Sequence, residues 1–315
     1  MHLSLVMPCY NEADNVEAMH DAVAEAFADC GFAYELVFVD DGSRDGTYQK
    51  LKALHARSAQ NIRVVRFSRN FGKESAIYAG LKHAKGDLVT IIDADLQQPP
   101  VMALEMARFL DENEDYDCVA AFQARRNEGK GLVFLKNGFY KLMNRITEIE
   151  FVQGASDFRT MRRTMAQAVL SMGEHNRFSK GIFSWVGFAT HYIPYEAAPR
   201  HSGASRFSTL KLFKLAFDGI VSFTTMPLRL AIFAGVISAL LALAYMVVIV
   251  VQKLAFGIPV PGYATLAVLI LFLGGVQLLG LGVLGEYLAK TYVESKRRPI
   301  YLAREVLEPK GEDCD

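Results

Sequence analysis

Asp93-Ala94-Asp95 closes an apolar run, Leu88 to Ile92. On an extended chain, residues two apart point to the same side. Both carboxylates therefore converge at one end of a strand, and Gln97 continues the same phase. Packed side by side the two carboxylates repel, and a cation is their natural partner. Hard oxygen ligands suit Mg²⁺ or Mn²⁺, ions usually shared between one or two carboxylates and the phosphates of a substrate. The three-residue pattern is short, but its place after an apolar strand and before Leu96-Gln97-Gln98-Pro99-Pro100 gives it weight.

Other nucleotide-binding patterns fail. A dinucleotide fingerprint needs a glycine-rich turn after the first strand, and that turn is Pro8-Cys9-Tyr10-Asn11-Glu12. A P-loop needs a glycine five residues before its Gly-Lys and a Ser or Thr after it. Position 67 is Phe, and Gly72-Lys73 is followed by Glu74. Cys9, Cys30, Cys118 and Cys314 form no Cys-x-x-Cys pair, so they read as isolated thiols rather than a zinc or redox motif. Lys plus Arg and Asp plus Glu are both 34. That balance gives no nucleic-acid signal.

The elements that must position the carboxylates alternate. Strand-like runs fall at Leu3–Met7, Glu35–Val39, Ile62–Phe67, Asp87–Ile92 and Asp117–Phe122. Helix-compatible segments lie between them, at Asp14–Asp29, Thr47–Arg57, Glu74–Ala84 and Val101–Asn113. Continuous apolar strands alternating with helices predict an α/β domain with a doubly wound, mostly parallel sheet. Ligands bind such sheets beyond the carboxyl ends of the strands. The polar clusters Pro8–Glu12, Asp40–Asp45 and Asp93–Gln97 fall there.

The apolar fraction is 51 %, and its excess collects near the C-terminus. Leu230 to Val251 and Tyr263 to Gly285 carry no charge over 22 and 23 residues. At about 1.5 Å per residue either run crosses a hydrocarbon core of roughly 30 Å. Lys211, Lys214 and Arg229 precede the pair, and Lys290, Lys296, Arg297 and Arg298 follow it. The short loop between holds only Lys253, so the positive-inside rule puts both flanks in the cytoplasm. The N-terminus opens into a strand without a signal-peptide pattern, which agrees. The expected division is a catalytic domain over 1–205, an interfacial amphipathic helix over 206–228, a two-helix transmembrane hairpin over 229–289 and a cytoplasmic tail over 290–315. The charged tail after Arg304 is expected to fray. A second segment, Gly131–Ile146, has a mixed apolar and basic pattern that suits either a headgroup layer or a core-facing helix. Gly274, Gly275, Gly280 and Gly282 allow close helix packing and suggest a homo-oligomer.

Four motifs together resemble the family 2 glycosyltransferases of GT-A fold: Pro8-x-Tyr10-Asn11-Glu12, Val39-Asp40-Asp41-Gly42-Ser43-x-Asp45-Gly46-Thr47, Arg69-Asn70-Phe71-Gly72-Lys73-Glu74 and Asp93-Ala94-Asp95-Leu96-Gln97. The branch most resembled is the polyisoprenyl-phosphate glycosyltransferases, which includes dolichol-phosphate mannose synthases and bacterial bactoprenol glucosyltransferases. The two-span hairpin, Gly181-x-Phe-Ser-Trp-Val-Gly187 and Gly274-Gly-Val-Gln277 before Gly285-Glu-Tyr287 favour the bacterial type. The branch's Asp-Leu-Gln-Asp-Pro-Pro reads with Gln98 in place of its second Asp.

The resemblance implies that Pro8, Tyr10, Asn11, Glu12, Val39, Asp40 and Asp41 hold the nucleoside. It places Asp93, Ala94, Asp95 and Gln97 at the diphosphate, with Asp93, Asp95 and Gln97 on the metal. Lys73 and Arg125 join the donor-binding set, and Lys73 is also a candidate for attracting anionic headgroups. Arg200 and Arg206, in a loop like the branch's Arg-x-x-Gly-x-Ser-Lys/Arg, go to phosphates. Asp157 matches the branch's catalytic carboxylate. A phosphate monoester is already largely ionised at neutral pH, with a second pKa near 6. Asp157 therefore has a second possible role, orienting the acceptor or a sugar hydroxyl. The implied partners are a nucleotide-sugar, polyisoprenyl phosphate and the bilayer. The implied reaction is inverting, metal-dependent hexose transfer, with UDP-glucose first among donors, and GDP-mannose or another UDP-sugar as alternatives. A non-catalytic membrane scaffold of the same fold is the alternative of another class. A processive synthase fits poorly, because the single tryptophan, Trp185, lies in no Gln-x-x-Arg-Trp segment.

Overall fold

In the computed structural model the described residues are 2–28, 31–58, 60–123, 154–196, 221, 224–256 and 262–310. The chain divides into two compact units, residues 1–212 with 298–315, and residues 213–297.

The first unit is built on strands β1 (His2–Cys9), β2 (Ala33–Asp40), β3 (Ile62–Phe67), β4 (Leu88–Ile91), β5 (Cys118–Gln123), β6 (Ala155–Arg162), β7 (Thr190–Tyr195) and β8 (Ala303–Leu307). They form one sheet in the order β7-β5-β6-β4-β1-β2-β3-β8. β4, β1, β2 and β3 run parallel. β5 and β7 are also parallel to each other. β6 enters antiparallel between β4 and β5, and β8 antiparallel at the edge beside β3.

Helices α1 (Val16–Phe27), α2 (Thr47–Arg57), α3 (Lys73–His83) and α4 (Pro100–Glu112) supply the parallel crossovers. α5 (Arg163–Ser171) and α6 (Ser179–Trp185) follow β6. β1 is buried on both faces. Leu3, Leu5 and Met7 join Val16 and Met19 of α1 and Met106 and Leu110 of α4 in one core. On the other face a Cβ at Gly80 of α3 would collide with the Val6 side chain, so glycine there lets α3 lie tight on β1. Fully burying side chains such as Leu5 or Met7 is worth about 1.5–3 kcal/mol each. That is why this uninterrupted apolar strand sits at the centre.

Strand order reverses between β1 and β4, which is where such a sheet opens a crevice at the carboxyl ends. The carboxylates of Asp40, Asp41 and Asp93 lie at those ends.

The C-terminal tail is not frayed over 303–307, as its charge had suggested. It pairs with β3 from Val64↔Leu307 to Phe67↔Ala303. Two of its acidic side chains find partners. The Tyr48 hydroxyl donates to Glu305 at 2.6 Å, and Glu308 pairs with Arg63, a side chain only 1 % exposed that also reaches Glu35 at 3.5 Å. Tyr301 stacks on Phe67 with ring centroids 4.9 Å apart.

The second unit holds α7 (Met226–Phe256) and α8 (Tyr263–Ser295). They contain the two uncharged runs and extend beyond them. Both are long and apolar enough to cross a membrane, and their apolar windows are unburied within the protein. Large side chains such as Phe233, Leu240, Leu278 and Leu279 are exposed.

Candidate active site

Three loops meet at the carboxyl ends of β1, β2 and β4. The β1 and β2 loops are zipped together. Asn11 takes a left-handed conformation, φ 57°. Its backbone N–H donates to Ser43 Oγ at 3.0 Å, and its Oδ1 accepts from the Arg44 N–H at 2.9 Å. The Glu12 N–H donates to Thr47 Oγ1 at 2.9 Å, and the Glu12 carboxylate accepts from Asn15 Nδ2 at 2.6 Å. Burial pushes Asp45 up, but hydrogen bonds from the Thr47 hydroxyl and amide and the Ala13 amide outweigh it. Its carboxyl therefore titrates below the usual range.

Asp40 and Asp41 face inward. Asp40 is fully buried, and its Oδ1 accepts from the Ser43 N–H at 3.0 Å. Asp41 accepts from the Phe71 N–H at 2.6 Å and the Gly72 N–H at 2.9 Å, so it pins the Arg69–Gly72 loop. Burial lifts Asp41 to about 6, against the lowering effect of those two amides. Gly42, at φ +65°, lies directly under this loop. A Cβ there would stand 2.6 Å from Asn70 N and 2.9 Å from Arg69 O. Val39 and Ala94 turn their side chains into the core, so only their backbone can face a ligand. Pro8 and Tyr10, in contrast, are part-exposed at the end of β1.

β6 completes the site. β4 and β6 pair from Leu88↔Arg162 to Ile91↔Arg159. Carried two residues further, the same register sets Asp93 opposite Asp157. Two carboxylates facing across a sheet repel, and Lys73 lies between them. Its Nζ is 2.6 Å from Asp93 Oδ1, 2.9 Å from Asp93 Oδ2 and 3.2 Å from Asp157 Oδ2. Burial pushes Asp157 up, but Lys73, then Lys180 and Arg159, outweigh it and hold its carboxyl below the usual range. Lys73 is pushed down by desolvation and more strongly up by Asp93 and Asp157, so it stays an ammonium. Its side chain is 45 % exposed, so solvent screens the cluster and it contributes little to fold stability.

Two further residues lie in motifs that the sequence showed without a role assigned to either. Gln98 is buried, and its Oε1 accepts from the Asp93 N–H at 2.8 Å while its Nε2 donates to Asp93 Oδ2 at 3.3 Å. The amide thus braces a carboxylate where a second Asp would have repelled it. Glu74 accepts from the Ser179 N–H at 2.9 Å and from the Ser179 hydroxyl, fastening the start of α6 beneath Asp157. Desolvation first, then Asp157, lifts its carboxyl above the usual range.

A hard divalent ion fits this donor set. Asp93, Asp95 and Gln97 are part-exposed oxygen donors on one short segment. Among the described residues no group of three His, Cys, Asp or Glu forms an all-protein cage. Two carboxylates and an amide oxygen suit an ion that takes one or two carboxylates and completes its shell with water and phosphate oxygens. Arg125, Arg200 and Arg206 lie outside the described residues, as do the Gly131–Ile146 segment and most of the expected juxtamembrane helix.

A crevice at the strand switch, an Asp-x-Asp beyond a central strand and a facing carboxylate on an antiparallel neighbour are the parts of a GT-A-type core. Residues 4–170 match the model of glycosyl transferase family 2, and residues 226–291 match the GtrB C-terminal hairpin. The chain belongs to glycosyl transferase family 2 and is an enzyme, a membrane-associated glycosyltransferase of the bactoprenol glucosyl transferase type. It is 41 % identical over 307 residues to the bactoprenol glucosyl transferase of Shigella phage SfV, covering 96 % of this chain and 98 % of that one. A prophage bactoprenol glucosyl transferase homolog of Escherichia coli is 40 % identical, covering 97 % and 99 %. The CsbB protein of Bacillus subtilis (strain 168) is 41 % identical, covering 96 % and 91 %.

Proposed function

We propose that this chain transfers a hexose, UDP-glucose being the first donor to test, onto a polyisoprenyl phosphate at the cytoplasmic face of the membrane, with inversion at the anomeric carbon. The observation that carries the reading is the convergence of Asp93 and Asp157 on Lys73 at the mouth of the crevice. The names of the bactoprenol relatives support the acceptor.

Asp93, Asp95 and Gln97 would hold Mg²⁺ or Mn²⁺, which when bound supplies Lewis-acid stabilisation of the diphosphate leaving group. The zipped loops around Tyr10, Asn11 and Glu12 bind the nucleoside. Asp93, braced by Gln98, keeps its carboxylate turned toward the crevice. Asp157, an ionised carboxylate at neutral pH, orients the acceptor or takes the last proton from its phosphate. That phosphate is mostly ionised already, so orientation is the larger share of its work. Arg125, Arg200 and Arg206 belong to this proposal as phosphate ligands.

β8 supports the membrane arrangement. It follows both apolar helices in the chain, yet it joins the sheet formed by strands that precede them. The chain therefore returns to the side it left, as a two-span hairpin requires. The basic residues Arg229, Lys290, Lys296, Arg297 and Arg298 support a cytoplasmic assignment for that side. Gly274, Gly275, Gly280 and Gly282 on α8 are small residues of the kind that allow close helix packing, which supports association with a second copy.

The test is a panel of UDP- and GDP-sugars incubated with the purified protein and undecaprenyl phosphate, with lipid-linked product read by mass spectrometry. A hexosyl-phosphoryl lipid is expected from one donor. Product from none of them, by a protein that still binds nucleotide, would favour the scaffold reading.

A further inference from the structure

Lys73 stands where it can communicate between two functional carboxylates. Its three ammonium protons face three acceptors, both oxygens of Asp93 and one of Asp157. The backbone beneath it is fixed, because Asp41 holds the Phe71 and Gly72 N–H groups immediately before it. Asp93 is fixed as well, since Gln98 grips both its N–H and its carboxylate. The torsional freedom left in the cluster lies in the four-carbon stem of Lys73. Asp157 Oδ1 is buried and, among the described residues, accepts no hydrogen bond. That oxygen offers the ammonium a second acceptor on the same carboxylate.

Lys73 contacts both oxygens of Asp93, so a divalent cation on that carboxylate competes with an ammonium already in place. Two cations on one carboxylate repel, and the Gln98 contact to Oδ2 limits how far that carboxylate can turn to separate them. We propose that Lys73 is a positioning residue that couples the two ends of the site: cation binding at Asp93 shifts the ammonium onto Asp157, and Asp157 in turn eases cation entry by receiving it. This rests on the metal-site reading given under Proposed function and adds an interlock to it. No bond is made or broken; one ammonium exchanges one ion pair for another.

The test measures Mn²⁺ affinity by electron paramagnetic resonance on the full-length detergent-solubilised protein without donor, up to millimolar metal. Wild type, Lys73→Met, Asp157→Asn and the double variant form a cycle. Lys73→Met is expected to bind Mn²⁺ at least about tenfold more tightly than wild type, as removal of a competing charge requires. Asp157→Asn is expected to weaken binding about fivefold when Lys73 is present and under about twofold when it is absent, a non-additive pair. Lys73→Arg, which keeps the charge, should stay near wild type. If Lys73→Met misfolds, Lys73→Gln takes its place in the cycle.

Unchanged affinity in the neutral Lys73 variants overturns the interlock. So does an equal Asp157→Asn effect in both backgrounds, which a simple field effect would give. A separate result, wild-type Mn²⁺ affinity in Asp93→Ala and Asp95→Ala, or no binding by any variant either without nucleotide or with UDP present to supply phosphate oxygens, removes the metal site itself and the interlock with it.

Discussion

Gly42→Ala tests the packing of the two loops that shape the crevice. The substitution meets two penalties. The first is the left-handed backbone at φ +65°, which costs alanine about 1–2 kcal/mol. The second is the collision of its Cβ with the backbone of Arg69 and Asn70. That backbone cannot retreat cheaply, because the Asp41 carboxylate holds the Phe71 and Gly72 N–H groups just beyond it. Retreat would weaken one or two hydrogen bonds to a charged group, at about 1.5–3 kcal/mol each. Gly31→Ala is the control, since it shares a positive φ of 72° and, among the described residues, finds nothing within 4 Å. The difference between the two variants isolates the collision and should be about 2–4 kcal/mol. At about 2–4 °C per kcal/mol for a domain of this size, Gly42→Ala should melt roughly 4–16 °C below Gly31→Ala. Thermal unfolding of the detergent-solubilised protein, followed by circular dichroism, reads this directly. Equal melting points for the two variants would refute the close approach of the β2 loop to the Arg69–Gly72 loop. The surviving fraction of Gly42→Ala should also lose at least about tenfold in transfer rate, because the displaced loop carries Lys73 with it.

Three other outcomes follow from the same geometry. Asp41 is raised from 3.8 to about 6, so the native state binds the extra proton between those values. Its contribution, up to about 3 kcal/mol, is fully present below the unfolded pKa and lost as pH rises through about 6. The melting point of Asp41→Asn should therefore depend less on pH between 4 and 6 than that of wild type, as melts across that range will read. Gln98→Met removes the brace on Asp93, and the metal concentration needed for half-maximal transfer should rise about 10–100-fold, checked by Mn²⁺ titration of the initial rate. Tyr301→Ala removes the ring stacked on Phe67 and should cost about 2–3 kcal/mol, read as a fall in the melting point.

Local pattern made the parallel half of the sheet legible. β3 and α2 begin and end where apolar run and helical segment predict, at Ile62–Phe67 and Thr47–Arg57. Asp93 was readable because a short apolar strand delivers it, but the extended phase expected to carry on through Asp95 and Gln97 does not hold: β4 ends at Ile91 and the chain turns over 94–98, with Leu96 at φ 61°. β6 was not readable, because its stability is non-local. Arg162 looks like a surface charge in a short window, yet its guanidinium donates to the carbonyls of Leu110 at 2.6 Å, Tyr116 at 2.9 Å and Asn113 at 3.2 Å. Asp157 was therefore reached by resemblance and not by pattern. β8 misled for a related reason. Its Arg304 and Glu305 suit an edge strand with one wet side, which resembles a solvated tail. The bridging role of Lys73 depends on a register between β4 and β6 that no spacing along the chain encodes, whereas the brace from Gln98 is local and depends on the turn that brings it back onto Asp93.

The most direct measurement is the rate of lipid-linked hexose formation by purified protein, in Mn²⁺ and in excess chelator, for wild type, Asp93→Ala and Asp95→Ala. Product that forms with metal, stops in chelator and falls at least about 100-fold in both variants is the expected result. Undiminished transfer in chelator, or by either variant, would contradict a metal-assisted site at the end of β4.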